Sequence, residues 1–303
     1  MNEHQMGAEV TMKKAMFWML VAMAAAGVAQ ADRAVNEARP LAADGRVEVS
    51  NISGEIKVIG WTGDGVVITG TLEDGVKDLD ITSGGSRLRI EVDLEHRTRN
   101  NGSAYLTIKI PVTADLDVET VSADIWVDGV RGEVDLESVS GQIEVSGEPE
   151  SLEASSVSGD VVTSVTAGRA ELESVSGDIM VRHATGRLET AVVSGNIEIE
   201  GGVLDSFHAE TVSGSIFCAA SPSDRGRFSL ETMSGRIEMV VSPNVNADFY
   251  IETYSGDIDN KIGPPARRTD EYGPGKELRF TNGSGGARIS IESFSGSVKI
   301  RTD

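Results

Sequence analysis

The chain holds little of what active sites are usually built from. It has one cysteine, Cys218, and four histidines, His4, His96, His183 and His208. A single cysteine excludes an internal disulfide. No His/Cys/Asp spacing around the histidines would fix zinc. Aromatics make up 5% of the chain, and Trp61 and Trp126 are its tryptophans beyond residue 31, so no sugar-stacking platform is evident. Basic residues are outnumbered, 27 Lys and Arg against 48 Asp and Glu, a net charge of −21. That balance disfavours nucleic acid and anionic membrane as partners, since both require a basic patch. There is no glycine-rich phosphate loop opening a helix and no nucleophile elbow.

What is present begins with a secretory pattern. Lys13 and Lys14 precede an apolar stretch from Ala15 to Val28, and Ala29-Gln30-Ala31 has the small-x-small form of a cleavage site. Residues 1–31 are expected to be a signal peptide, with Met12 as the true start. The apolar stretch is too short for a membrane span, so no integral span is expected after cleavage. No cysteine stands directly after the cleavage pattern, where Asp32 lies, so no lipid anchor is expected.

From Glu119 to Ile199 a phrase returns every 18 residues, in Val121-Ser122-Ala123-Asp124-Ile125, Val139-Ser140-Gly141-Gln142-Ile143, Val157-Ser158-Gly159-Asp160-Val161, Val175-Ser176-Gly177-Asp178-Ile179 and Val193-Ser194-Gly195-Asn196-Ile197. Steps of 19, 21 and 21 carry it to Ser213-Gly214, Ser234-Gly235 and Ser255-Gly256, and a last copy stands at Ser295-Gly296. A fixed period of this size with strand-like content is the mark of a solenoid. Apolar columns run through the residue before Ser, the second after Gly, and two further on, where Cys218 shares a column with Val145, Thr163, Val181 and Ile199. Polar residues such as Gln142, Glu144, Asp160 and Glu198 lie between, which is the period-two alternation of a strand with one buried face. By this phase the valines before the serines join the buried ladder, and Cys218 is a small buried apolar residue. A second alternating run precedes most phrases, as in Val134–Glu137, Ala170–Glu173, Phe228–Glu231 and Phe249–Glu252. Each coil of about 18–21 residues thus holds two short strands. The glycine would supply positive φ at the bend, and the serine beside it a hydroxyl for a nearby backbone group.

The phrases at 136–143, 172–179, 230–237, 251–258 and 291–298, with the lead-in Leu106 to Val118, resemble the bacterial DUF4097-type β-strand-repeat family, whose members carry an adhesin label. The resemblance spans about residues 46–302. It implies a β-helix-like solenoid outside the cytoplasm with no known active site.

The fold expected is all-β: a single-domain β-solenoid over 119–303, with residues 32–118 as irregular N-terminal β coils capping one end. Residues 261–287, with Gly263-Pro264-Pro265 and Gly273-Pro274-Gly275, are expected to leave the stack as a loop holding one strand from Lys276 to Thr281. Lys299 and Arg301 would then place charge on an exposed terminal edge.

No catalytic, cofactor-binding or metal residue is assigned, and the ligand is unknown. Glu137, Glu173, Glu231, Glu252 and Glu292 recur at one repeat position, as a structural or solubilising role predicts, whereas a catalytic pair would depart locally from the repeat. The serine column has no histidine repeating with it. Asp160 and Asp178 stand one coil apart, but one Asp column supplies few of the oxygens that calcium takes. Trp126, in the outward column of Glu144 and Glu198, is the most conspicuous surface residue. The function expected is that of an exported, non-enzymatic envelope protein, adhesin-like or a scaffold, periplasmic or on the cell surface, binding an envelope protein or glycan. A carbohydrate-active enzyme on a β-helix and a periplasmic envelope-stress or signalling accessory are the alternatives. Sequencing the N-terminus of the exported protein should find a mature chain beginning at Asp32, and a start far from it would remove the signal-peptide reading.

Overall fold

The computed structural model describes residues 32–94, 102–270 and 273–302. The expected signal segment 1–31, with Met12 and His4, and His96 lie outside the described residues. Among the described residues there is no helix long and apolar enough to cross a membrane. The alternating runs form strands throughout. In the N-terminal part these are β1 (Arg33–Arg39), β2 (Arg46–Trp61), β3 (Val66–Leu72), β4 (Val76–Gly84), β5 (Arg87–Leu94) and β6 (Ala104–Pro111). The phrases lie in β7 (Asp115–Asp128), β8 (Glu133–Ser138), β9 (Ile143–Gly147), β10 (Ser151–Ser156), β11 (Val161–Ser174), β12 (Ile179–Val192), β13 (Ile197–Ser213), β14 (Ile216–Cys218) and β15 (Ser221–Val241). The chain closes with β16 (Ala247–Thr253), β17 (Ile258–Asn260), β18 (Arg267–Arg268), β19 (Lys276–Asn282) and β20 (Ala287–Thr302).

The period in the sequence becomes a pairing register. β8, β10, β11 and β12 pair in parallel with Val134 beside Leu152, Leu152 beside Ala170, and Ala170 beside Leu188. On a second ladder Ile125, Ile143, Val161, Ile179 and Ile197 stand side by side. Both ladders face one continuous core, in which Ile125, Ile143, Ile179, Ile197 and Leu172 have no exposed surface. Each such side chain contributes about 1.5–3 kcal/mol by leaving water. Cys218 is fully buried there, and desolvation pushes its thiol up to about 12.

Two short strands per coil describe β8, β9 and β10, but β7, β11, β12 and β13 run unbroken through a corner and pair on both ladders. As a result β7, β8, β10, β11 and β9 close a ring of five strands, β9 returning to β7. The N-terminal strands depart from parallel pairing. β1–β3, β3–β6 and β4–β5 are antiparallel, while β2 runs parallel to β5, β6 and β7. Register Gly54↔Ala123 puts the rung of β2 beside the phrase at Ala123.

At the other end the last strand is not the last rung. β20 lies between β15 and β16, with Ile291 beside both Leu230 and Ile251. Lys299 and Arg301 therefore sit on a strand flanked on both sides rather than on a terminal edge, and both reach the Glu238 carboxylate, at 3.1 and 2.8 Å. β19, in the segment 261–287, pairs antiparallel with β16 along its whole length and with β18 beyond, and the Phe249 and Phe280 rings stack at 4.6 Å.

The glycine of the phrase is needed for a reason other than the one its composition suggests. Gly141, Gly159, Gly177 and Gly235 are not among the glycines with positive φ. A Cβ on Gly159 would lie 1.9 Å from the Gly141 carbonyl oxygen, and one on Gly235 1.7 Å from that of Gly214. From Gly141 onward the rungs approach too closely at this point for any side chain. The hydroxyl that serves the bend is also displaced by two residues. Ser138, Ser156 and Ser174, not the serines next to the glycines, accept the N–H of Gly141, Gly159 and Gly177 at 2.8, 2.8 and 2.9 Å. Gly235→Ala is expected to cost about 1–3 kcal/mol through overpacking, read as a lower denaturant midpoint. Gly84→Ala, where a Cβ meets nothing within 4 Å, should leave the midpoint unchanged.

Candidate functional site

The corner that brings the glycines together also turns the preceding residue outward. Val134, Leu136 and Ser138 are buried, Val139 and Ser140 are both exposed, and burial resumes at Gly141, Ile143 and Val145. Two consecutive outward residues shift the alternation by one. The valines before the serines, expected in the buried ladder, therefore face solvent: Val121, Val139, Val157, Val175 and Val193 are 45–49% exposed. Ile52 and Val212 extend the row at its two ends, followed by Met233, Phe294 and Tyr254 in stack order, the last three 57–60% exposed.

This row forms one wall of a groove of about 760 Å³. Its floor is Asn51, Thr120, Ser138, Ser156, Ser174 and Val192, all buried, and its opposite rim carries Glu119, Glu137, Ser155, Glu173, Ala191 and Glu210. A second depression of about 310 Å³ continues it over Glu231, Glu292 and Glu252, against Met233, Phe294 and Tyr254. The Tyr254 and Phe294 rings stack with centroids 5.0 Å apart. The glutamates that recur in the sequence thus share one rim, and no catalytic assignment had singled them out. Their position opposite the valine row was not legible in the sequence. The signal that could have revealed it is the adjacent pair of outward residues at each corner, which breaks period two.

Behind the rim runs a second column of acids: Glu48, Asp117, Asp135, Glu153, Glu171 and Glu189, each beside the next in register. Strands set about 4.8 Å apart hold these like charges close. Burial pushes the Asp135 carboxyl up to about 6, and the charges of Glu153, Asp117 and Glu137 add to the effect, with Arg46 opposing. Asp117 is raised as well, chiefly by burial and then by Glu119 and Glu48.

The other conspicuous residues take structural positions. Asp160 Oδ1 accepts the Asp178 amide at 2.9 Å, and Asp178 Oδ1 the Asn196 amide at 2.7 Å, so each carboxylate caps the next rung. Trp126 is 39% exposed between Lys57 and Glu144. His183 is exposed at φ 56°, and His208 stands between Glu189 and Ser229. Arg267 and Arg268 form the exposed strand β18. Among the described residues no group of three or more His, Cys, Asp or Glu is placed to hold a metal ion.

The Toastrack DUF4097 family profile matches residues 21–186 and 150–301. No curated protein matches the chain. Among solved structures, a "putative adhesin" from Parabacteroides distasonis is similar at 10% identity, covering 89% of this chain and 97% of its own, with a TM-score of 0.47. A "putative adhesin" from Bacteroides fragilis has 11% identity, the same two coverages and a TM-score of 0.40. A "putative lipid binding protein", also from Parabacteroides distasonis, has 12% identity, covers 88% and 97%, and has a TM-score of 0.40.

A carboxyl whose pKa is raised by folding holds its proton longer in the folded than in the unfolded chain. Its penalty is absent below the unfolded value, about 3.9, and grows until the folded value near 6 is passed. Stability should fall as pH rises across that window. Asp135→Asn removes the charge at similar shape and should raise Tm at pH 7 by about 2–4 °C, with no difference near pH 3. An equal gain at both pH values would show that charge is not the cause.

Proposed function

This chain belongs to the Toastrack DUF4097 family, and we propose that it is an exported, non-enzymatic binding protein of the bacterial envelope. In this reading its strands stack as a β-solenoid and its groove receives an elongated ligand along the valine row. The observation that carries it is the row itself. Single exposed apolar residues are ordinary on a protein surface, whereas a contiguous apolar strip rimmed by polar groups marks an interaction site. Here Val121, Val139, Val157, Val175, Val193 and Val212 are exposed on successive rungs. The repeat supplies the same wall again and again, which suits a long ligand held by many equivalent contacts rather than a small one held by a few.

We infer the absence of a reaction from the same regularity. Acid–base chemistry needs two groups in distinct environments whose pKa values are driven apart. Glu137, Glu173 and Glu210 occupy equivalent places on the rim, and the raised Asp135 lies in the column behind it. Export rests on the signal pattern in residues 1–31.

A photo-crosslinking amino acid placed at Val157 in the cell should give discrete adducts. The same residue at Glu198, on the other ladder, should give none. Adducts at both positions, or at neither, would overturn the groove as the binding surface.

A further inference from the structure

We propose that the groove takes an extended basic peptide segment, with its apolar side chains on the valine row and its cations on the glutamate rim, anchored by one cationic side chain at the Tyr254–Phe294 end. This rests on the groove reading above and adds the chemistry of the occupant.

The rim asks for positive charge. Glu119, Glu137, Glu173 and Glu210 have no salt-bridge partner among the described residues, whereas the acids in the column behind them are partly served: Glu48 by Arg87, and Glu171 and Glu189 by Arg169. The anchoring end is more elaborate. Glu231, Glu292 and Glu252 come on consecutive rungs there. Each accepts a hydroxyl through one oxygen, from Ser229 at 3.0 Å, Ser290 at 3.4 Å and Tyr250. The carboxylates are thereby held in place with the second oxygen left over. Facing them, Tyr254 and Phe294 present stacked aromatic rings, and an aromatic face beside carboxylates attracts a guanidinium or ammonium group.

These features together select among ligands. An acyl chain would cover the valines but leave the carboxylates unanswered, and an anionic headgroup would be repelled. A polyamine would answer the acids but leave the valines bare. A peptide with both side-chain classes meets both. Spacing in the middle of the groove supports an extended backbone: Ser155 and Ala191 separate Glu137, Glu173 and Glu210, so these three acids stand two rungs apart, about 9.6 Å, while Glu119 and Glu231 adjoin them on neighbouring rungs. Three residues of polyproline II helix advance about 9.3 Å, which brings a cation to each of these three acids from every third position.

The test is fluorescence anisotropy with the purified protein and three probes: a labelled nonapeptide of three Lys-Pro-Val triplets, its Glu-Pro-Val counterpart, and the fluorescent fatty acid parinaric acid. The basic peptide should bind saturably and the acidic one should not. Binding should weaken about tenfold or more in the variant Glu231→Gln/Glu252→Gln/Glu292→Gln and in Tyr254→Ala, both checked to melt like the parent. High salt should weaken it too. Equal binding of the two peptides, no effect of the glutamine substitutions, or no binding of the basic peptide at about 1 mM would each overturn the proposal. If parinaric acid alone binds and Val157→Asp abolishes it, the basic-peptide assignment falls while the groove reading stands. If no probe binds and the Val157 crosslinks are also absent, both fall.

Discussion

Each repeat must turn from one ladder to the other at a point where consecutive rungs nearly touch, and this contact governs the rest of the molecule. The carbonyl of one glycine lies where the next glycine would carry its Cβ. Between these rungs only backbone can occupy that line, so the phrase returns with glycine from Gly141 onward. The Val-Ser pair just before it is turned outward. The corner thus sets a row of side chains on the surface, valine makes that row apolar, and its regularity is inherited from the regularity of the stack.

The same stacking sets carboxylates in columns. Neighbouring rungs in register bring like charges to about 4.8 Å, and these add to the burial that chiefly raises the Asp135 and Asp117 carboxyls. Such columns oppose folding and are tolerated because the parallel backbone pairing and the continuous core of Val, Ile and Leu act on every rung. Arg87 and Arg169 relieve the column behind the rim at Glu48, Glu171 and Glu189. Among the described residues Glu119, Glu137, Glu173 and Glu210 on the rim have no ion pair of this kind. Apolar wall and acidic rim are therefore two consequences of one architecture, and together they define a surface with a strong preference of charge and shape.

The two ends differ from the middle in ways that matter to the groove. Antiparallel pairing of β1 with β3, β3 with β6 and β4 with β5 closes the N-terminal end. At the other end β20 threads between β15 and β16. That insertion places Phe294 between Met233 and Tyr254, where large side chains replace valine. Along the chain Phe294 is forty residues from Tyr254, yet their rings stack. The aromatic end of the groove exists only because the last strand is not the last rung.

Much of the fold could be read from the sequence. Alternation of apolar and polar residues is a local property, and it named the strands around Leu136, Ile143, Leu172 and Ile179 and the buried site of Cys218. The period of 18 residues forecast the register, because equal lengths of chain return side chains of one kind to one place. Three features were misread for the same reason. The outward valines, the glycines chosen for closeness rather than for φ, and the order of β15, β20 and β16 all depend on which rung lies against which. A column in an alignment shows that residues are equivalent. It does not show which way they face when the backbone turns a corner, nor which strand intervenes. The sequence by itself determined that the chain is built of repeated strands around an apolar ladder. Tertiary structure alone decided that the valine column faces water opposite the glutamates, since the direction of a side chain at a corner is set by contact between rungs far apart in the chain.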